Sequence, residues 1–110
     1  MPKDTQRLDT LFRALADPTR RAVLDRLALG PANVGELAAP FDMALPSFMQ
    51  HLKLLEQAGL IRTAKSGRVR ACSLTPQGFS PAELWLSTQR ELWESRFDRL
   101  EKHLTQGDKT

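Results

Sequence analysis

Absences narrow the reading first. The 110-residue chain holds one cysteine, Cys72, and two histidines. A lone thiol excludes an internal disulfide framework and fits a reducing compartment. Long apolar runs are missing too: none approaches the ~18 residues of a membrane span. The opening stretch MPKDTQRLDT lacks the apolar core of a secretory signal. The expectation is a cytoplasmic protein with no membrane partner. His51 and His103 lie far apart, and there is neither a nucleophile elbow nor a glycine-rich phosphate loop. No catalytic constellation assembles, so a non-enzymatic role is expected. Repeats, low-complexity tracts and interdomain linkers are also missing, and the length matches a single domain over residues 1–110.

What is present is ordinary in bulk and uneven in placement. Hydrophobic residues make up 41% and charged residues 26%, as in a folded soluble protein rather than a disordered one. The net charge is +3, yet residues 44–75 alone set five cations (Lys53, Arg62, Lys65, Arg68 and Arg70) against one acid, Glu56. A local positive field on a nearly neutral body suits a polyanionic partner. Solvated basic faces are common, so charge alone does not decide the partner.

Apolar spacing gives the architecture. Leu8, Leu11, Phe12 and Leu15 mark one face of a helix over 5–16. Asp17-Pro18 starts a second helix as N-cap and first-turn proline, and Gly30-Pro31 stops it. Asn33-x-x-Glu36 reads as a capping pattern for a short third helix, which Pro40 closes. A fourth runs from Leu45-Pro46 to Gln57 with Leu45, Phe48, Leu52 and Leu55 directed inward. The period then drops to two: strands over 60–65 and 68–74 meet at Ser66-Gly67, with Val69 and Ala71 on one side and Arg68, Arg70 and Cys72 on the other. Thr75-Pro76-Gln77-Gly78 ends the hairpin, and an amphipathic helix follows over 81–104. The tail over 105–110 reads as polar and frayed. The expected fold is mainly α with a small β-hairpin, a winged helix-turn-helix in the order α-α-α-α-β-β-α.

That order assigns chemistry. The second helix of a helix-turn-helix enters the major groove with its early residues at the base edges. Opposite the inward stripe of the fourth helix lie Ser47, Gln50, His51 and Leu54. Gln50 pairs bidentately with an adenine edge, Ser47 serves a base or a phosphate, His51 reaches either, and Lys53 flanks them as a phosphate contact. On the hairpin, Lys65, Arg68 and Arg70 suit phosphate tracking or a narrow minor groove. Each has a plainer reading beside it. The helix residues are also what a solvated face carries, with His51 hydrogen-bonded to the hairpin. The hairpin cations also guard an exposed sheet edge. An alternative for the whole is a winged-helix module whose basic hairpin binds an acidic protein.

The stretches Leu11–Arg20, Val34–Ala38 and above all Gln50–Ile61 (QHLKLLEQAGLI) resemble the ArsR/SmtB family of repressors, over residues 8–75 and more loosely through the last helix. The resemblance implies a homodimeric winged helix that binds operator DNA near its own promoter. It also implies dimerisation through the first and last helices, here Leu8, Leu11, Phe12, Leu15, Trp85, Leu92, Trp93, Phe97 and Leu100. The chain departs from the metal-sensing members. Its third helix carries no thiol. Asp98 and His103 are five apart, off the three- or four-residue spacing that stacks ligands on one helical face. A dithiol switch needs a second cysteine. No metal and no cofactor is therefore expected, as in the family's metal-independent autorepressors, and no particular small-molecule or protein effector is indicated. Met49 stands where relatives often carry a small hydroxyl residue.

Other residues divide between two roles. Trp85 and Trp93 fit interface packing better than a ligand pocket. Cys72 fits a plain strand position better than a redox switch. Arg20 and Arg21 oppose the dipole of the second helix and are expected to pair with Asp17, Asp25 or a neighbouring acid, with a phosphate contact as the lesser alternative.

Overall fold

A computed structural model describes residues 3–107. Its elements are α1 (Lys3–Leu15), α2 (Pro18–Leu27), β1 (Ala32–Asn33), α3 (Val34–Ala38), α4 (Leu45–Gln57), β2 (Ile61–Ser66), β3 (Val69–Leu74), a 3₁₀ turn (Pro76–Phe79) and α5 (Ser80–Gly107). The fold is mostly helical with a winged helix-turn-helix order. α5 continues three residues past the expected end at Leu104. Residues 108–110 of the expected frayed tail lie outside the described residues.

Local chemistry sets the boundaries. Asp17 sits in extended backbone and accepts from the Arg20 N–H, with Pro18 opening α2. Asn33 caps α3 in the same way, accepting from the Glu36 N–H at 2.8 Å. α4 ends in a Schellman turn: the Gly59 N–H donates to the Glu56 carbonyl and the Leu60 N–H to the Leu55 carbonyl. Gly59 has a φ of +77°, a conformation that costs glycine nothing and other residues about 1 kcal/mol or more.

The core lies where α4 packs against α1, α2 and β2. Phe48, Leu52 and Leu55 of α4 are buried against Leu11 and Ala14 of α1, Val23 and Leu27 of α2, and Leu37 of α3. Leu45 departs from the expected inward stripe, being 56% exposed. It is the first residue of α4 and precedes the turn that meets the core. Leu11 also differs from expectation. At 2% exposed, its side chain packs in the chain's own interior and has almost no surface left for a second subunit.

The sheet has three strands in the order β1-β3-β2, all antiparallel. β1 was not foreseen: Ala32 pairs with Cys72 and Asn33 with Ala71. Two residues are too few to show a period, and the pairing comes from tertiary contact alone. It buries Cys72 completely, and burial, more than the nearby Glu56 charge, pushes that thiol's pKa up despite Arg70. A raised pKa leaves less of the thiolate a redox switch needs. The hairpin turn sits one residue later than expected. Ser66 pairs with Val69, leaving Gly67 (φ +65°) and Arg68 as the loop, with glycine at the first position as a type II′ turn requires. Arg68 thus caps the wing instead of lying along a strand.

α5 leaves the body. Its 28 residues reach roughly 42 Å at ~1.5 Å each. The radius of gyration, 20.2 Å, exceeds the ~13 Å of a compact chain this long. Ala82 is buried at its root, and Trp85 meets Phe12 edge-on at 5.9 Å. Beyond that point Leu92, Trp93, Phe97 and Leu100 are all more than half exposed. No described helix is long and apolar enough to cross a membrane.

Candidate nucleic-acid interface

α4 presents a polar face away from the core. Phe48, Leu52 and Leu55 point inward, and the same 3.6-residue period turns Ser47, Gln50 and Lys53 to solvent, where all three are exposed. Leu54 and Met49 are half-buried at the margins. The N-terminus of α4 has no side-chain cap. Its first N–H groups and the positive end of the helix dipole are thus left for an anion.

The wing carries exposed Lys65, Arg68 and Arg70. Register adds what the sequence did not disclose: Lys65 and Arg70 are direct cross-strand partners. Like charges placed opposite each other destabilise a hairpin by up to about 1 kcal/mol, and a phosphate between them reverses the sign. A cleft of about 450 Å³ joins the wing to the helix-turn-helix. It is lined by Asn33, Val34 and Gly35 at the start of α3, Met49 of α4, and Arg68, Val69 and Arg70. Arg68 and Arg70 of the wing and Met49 of α4 therefore border one depression.

His51 does not join the free polar face. Its ring is half-buried, and Nδ1 lies 3.0 Å from Arg20 Nη1 and 3.7 Å from Asp17 Oδ2. Its structural partner is the start of α2, not the hairpin. Arg20 corrects expectation as well. Its guanidinium makes no ion pair among the described residues, but donates from Nε to the Ala14 carbonyl and from Nη2 to the Arg13 carbonyl, both at 2.8 Å. Arg21 does likewise to the Leu15 carbonyl. These carbonyls lie in the last turn of α1, where the i+4 donors run out and the Arg13 carbonyl takes the Ala16 N–H at 3.2 Å instead, so both arginines cap α1. Asp17 takes the Arg20 backbone N–H. Burial raises the Asp17 pKa, but that hydrogen bond, the charge of the His51 ring when it is protonated, and the Arg20 charge together outweigh it and hold the carboxyl below its ordinary value. A cationic side chain five or six residues past a helix end is the sequence signal for this cap, and an ion pair with a nearby acid is the competing reading of the same charge.

The residues expected at a subunit interface separate into two groups. Leu8, Phe12 and Leu15 are partly buried within the chain. Trp85, Leu92, Trp93, Phe97 and Leu100 form an open apolar stripe, in which Trp93 and Phe97 stack edge-on at 5.4 Å. Among the described residues no group of three or more His, Cys, Asp or Glu side chains could hold a metal ion.

A helix-turn-helix domain family matches residues 15–64, the segment that contains α2 to α4. The HTH-type transcriptional regulator Rv2034 of Mycobacterium tuberculosis is 44% identical over 72 residues, covering 66% of this chain and 67% of that protein. The transcriptional repressor SdpR of Bacillus subtilis is 33% identical over 79 residues, covering 72% of this chain and 88% of that protein. Among solved structures, the ArsR family transcriptional regulator RHA00566 superposes with a TM-score of 0.81 at 59% identity, covering 86% of this chain and 98% of that one. The fold alone recurs at 22% identity and a TM-score of 0.62 in the homodimeric winged helix-turn-helix DNA-binding domain Mb0332 of Mycobacterium bovis, covering 80% of this chain and 83% of that one.

Proposed function

Since the chain belongs to the ArsR family of winged helix-turn-helix transcriptional regulators, we propose that it is a homodimeric repressor that binds double-stranded operator DNA sequence-specifically. One observation carries this reading: the exposed Ser47, Gln50 and Lys53 sit on α4, whose Met49 lines one depression with Arg68 and Arg70 of the wing. α4 lies in the major groove, where Ser47 and Gln50 meet base edges and Lys53 a phosphate. His51 contacts DNA from the margin of this face. Lys65, Arg68 and Arg70 follow the backbone beside it. The relief of the Lys65–Arg70 repulsion by phosphate adds to affinity without adding specificity.

The dimer forms through the first and last helices. Leu8, Phe12 and Leu15 flank the root of α5, and Trp85, Leu92, Trp93, Phe97 and Leu100 supply the apolar contact. A two-fold pair of reading helices then demands a pseudo-palindromic operator with half-sites about one helical turn or a multiple apart. The repressor acts in the cytoplasm, without metal or cofactor, on its own promoter, and its own abundance sets occupancy. Footprinting on the region upstream of its own gene tests this. A protected inverted repeat that zinc and chelator leave unchanged is expected. Protection absent there, or lost on adding metal, would overturn autoregulation or metal independence respectively. Capture of acidic peptides in place of DNA would favour the protein-interaction module.

A further inference from the structure

We propose that Arg20 sets the hydrogen-bonding polarity of His51, making this residue of the reading helix a donor-only contact to operator DNA. The inference rests on the DNA-reading role of α4. Arg20 is 8% exposed, and all three of its guanidinium nitrogens are engaged: Nε and Nη2 on carbonyls at the end of α1, Nη1 on His51 Nδ1. A guanidinium has donors and no acceptor, and it does not deprotonate in proteins. The imidazole nitrogen it faces must therefore be the acceptor. With Nδ1 bare, the neutral ring carries its proton on Nε2, the only polar atom left.

Asp17 is the other charged group at the ring, with Oδ2 3.7 Å from Nδ1. A proton on Nδ1 would satisfy Asp17, but it would point an N–H at the Arg20 donor 3.0 Å away. The carboxylate only accepts, as the guanidinium only donates, and of the two contacts only the guanidinium's is within hydrogen-bond reach, so the Nε2–H tautomer holds. Two consequences follow. Arg20 is a positioning residue: it ties the end of α1 to the middle of α4 and touches no base. His51 serves acceptors of the operator, a phosphate oxygen or a purine N7, and cannot accept from the amino groups of adenine or cytosine.

The full-length protein labelled with ¹⁵N-histidine tests the tautomer directly, with His103 as an internal comparison. Proton–nitrogen correlation spectra at neutral pH should show His51 with an unprotonated Nδ1 and a protonated Nε2. A proton on Nδ1 would overturn the proposal without any variant. Affinity for a duplex recovered by selection from random DNA, read by fluorescence anisotropy, tests the consequence. Arg20→Met should weaken binding about tenfold when His51 is present and less than twofold in a His51→Ala background. An equal loss in both backgrounds would make Arg20 merely structural. His51→Gln, which places an amide N–H₂ near the Nε2 position, should bind several-fold more tightly than His51→Asn, which supplies only the acceptor for Arg20; the reverse order refutes the donor role. Methylphosphonate and 7-deazapurine substitutions in the duplex separate phosphate from N7. If neither weakens wild-type binding more than it weakens His51→Ala, His51 makes no operator contact and the proposal fails. A failure of the DNA-reading role itself looks different: no duplex is enriched by the wild-type protein at all.

Discussion

Replacing Trp93 and Phe97 together by alanine should separate the subunits and leave each one folded. Both rings sit on the projecting part of α5, 59% and 57% exposed, and the chain itself covers neither fully. Covering a further ~100 Å² of each ring is worth about 2.5 kcal/mol at ~25 cal/mol per Å². Four such rings in a two-fold dimer set a ceiling of about 10 kcal/mol, from which association entropy and imperfect fit subtract. Even a third of that, about 3 kcal/mol, raises the dissociation constant more than 100-fold. Within one subunit the variant loses only the i, i+4 contact of the two rings, about 0.5 kcal/mol. Sedimentation velocity over a concentration series reads the association, and circular dichroism reads the fold. The variant should be monomeric at concentrations where the wild type is dimeric, with unchanged helicity. A variant that associates as tightly as the wild type would refute the assignment of this stripe to the interface.

Other perturbations test other links. Gln50→Ala should relax base preference at one position of each half-site, whereas Arg68→Ala should weaken binding to all sequences alike and lower the slope of log affinity against log salt by about 0.9; anisotropy titrations at several salt concentrations separate them. Gly78→Ala should lose at least about 2 kcal/mol and about 10 °C in Tm, because the new Cβ would lie 2.0 Å from the Gly59 carbonyl oxygen, which is backbone and cannot swing aside. Asp17→Asn should keep the α2 cap and flatten the acid limb of stability. The depressed Asp17 pKa stabilises the fold above its unfolded value, near pH 4, and that contribution disappears as pH falls through the folded value. Urea melts from pH 7 to pH 3 should show the wild type losing more stability than the variant. Phe48→Ala should lose about 3–5 kcal/mol and Leu45→Ala under about 0.5, since the first is fully buried and the second 56% exposed.

The sequence was legible wherever one element carried its own signal. Asp17-Pro18 and Asn33-x-x-Glu36 announced two helix starts, because a cap is chemistry between residues three apart. Phe48, Leu52 and Leu55 announced the buried side of α4, and with it the exposed Ser47 and Gln50. What the sequence concealed depends on residues distant in the chain. β1 exists because β3 offers Ala32 and Asn33 an edge, and two residues cannot display a period. The opposition of Lys65 and Arg70 needed the register, which the turn at Gly67-Arg68 fixes one position away from where composition suggested. Arg20 presented a charge, and charge suggested an acid as partner. Its actual partners are main-chain carbonyls of α1 and a histidine 31 residues onward. Leu11 and Phe12 shared one apolar stripe, yet only the packed helices show that Leu11 faces the interior.

Selection of bound sequences from a random duplex pool, followed by sequencing, tests sequence-specific DNA reading by α4 and the wing most directly. Enrichment of an inverted repeat with half-sites about one helical turn or a multiple apart is expected, and loss of that enrichment when Ser47 and Gln50 are both replaced by alanine. A bound pool no different in sequence from the input, or a repeat that survives those replacements, would contradict it.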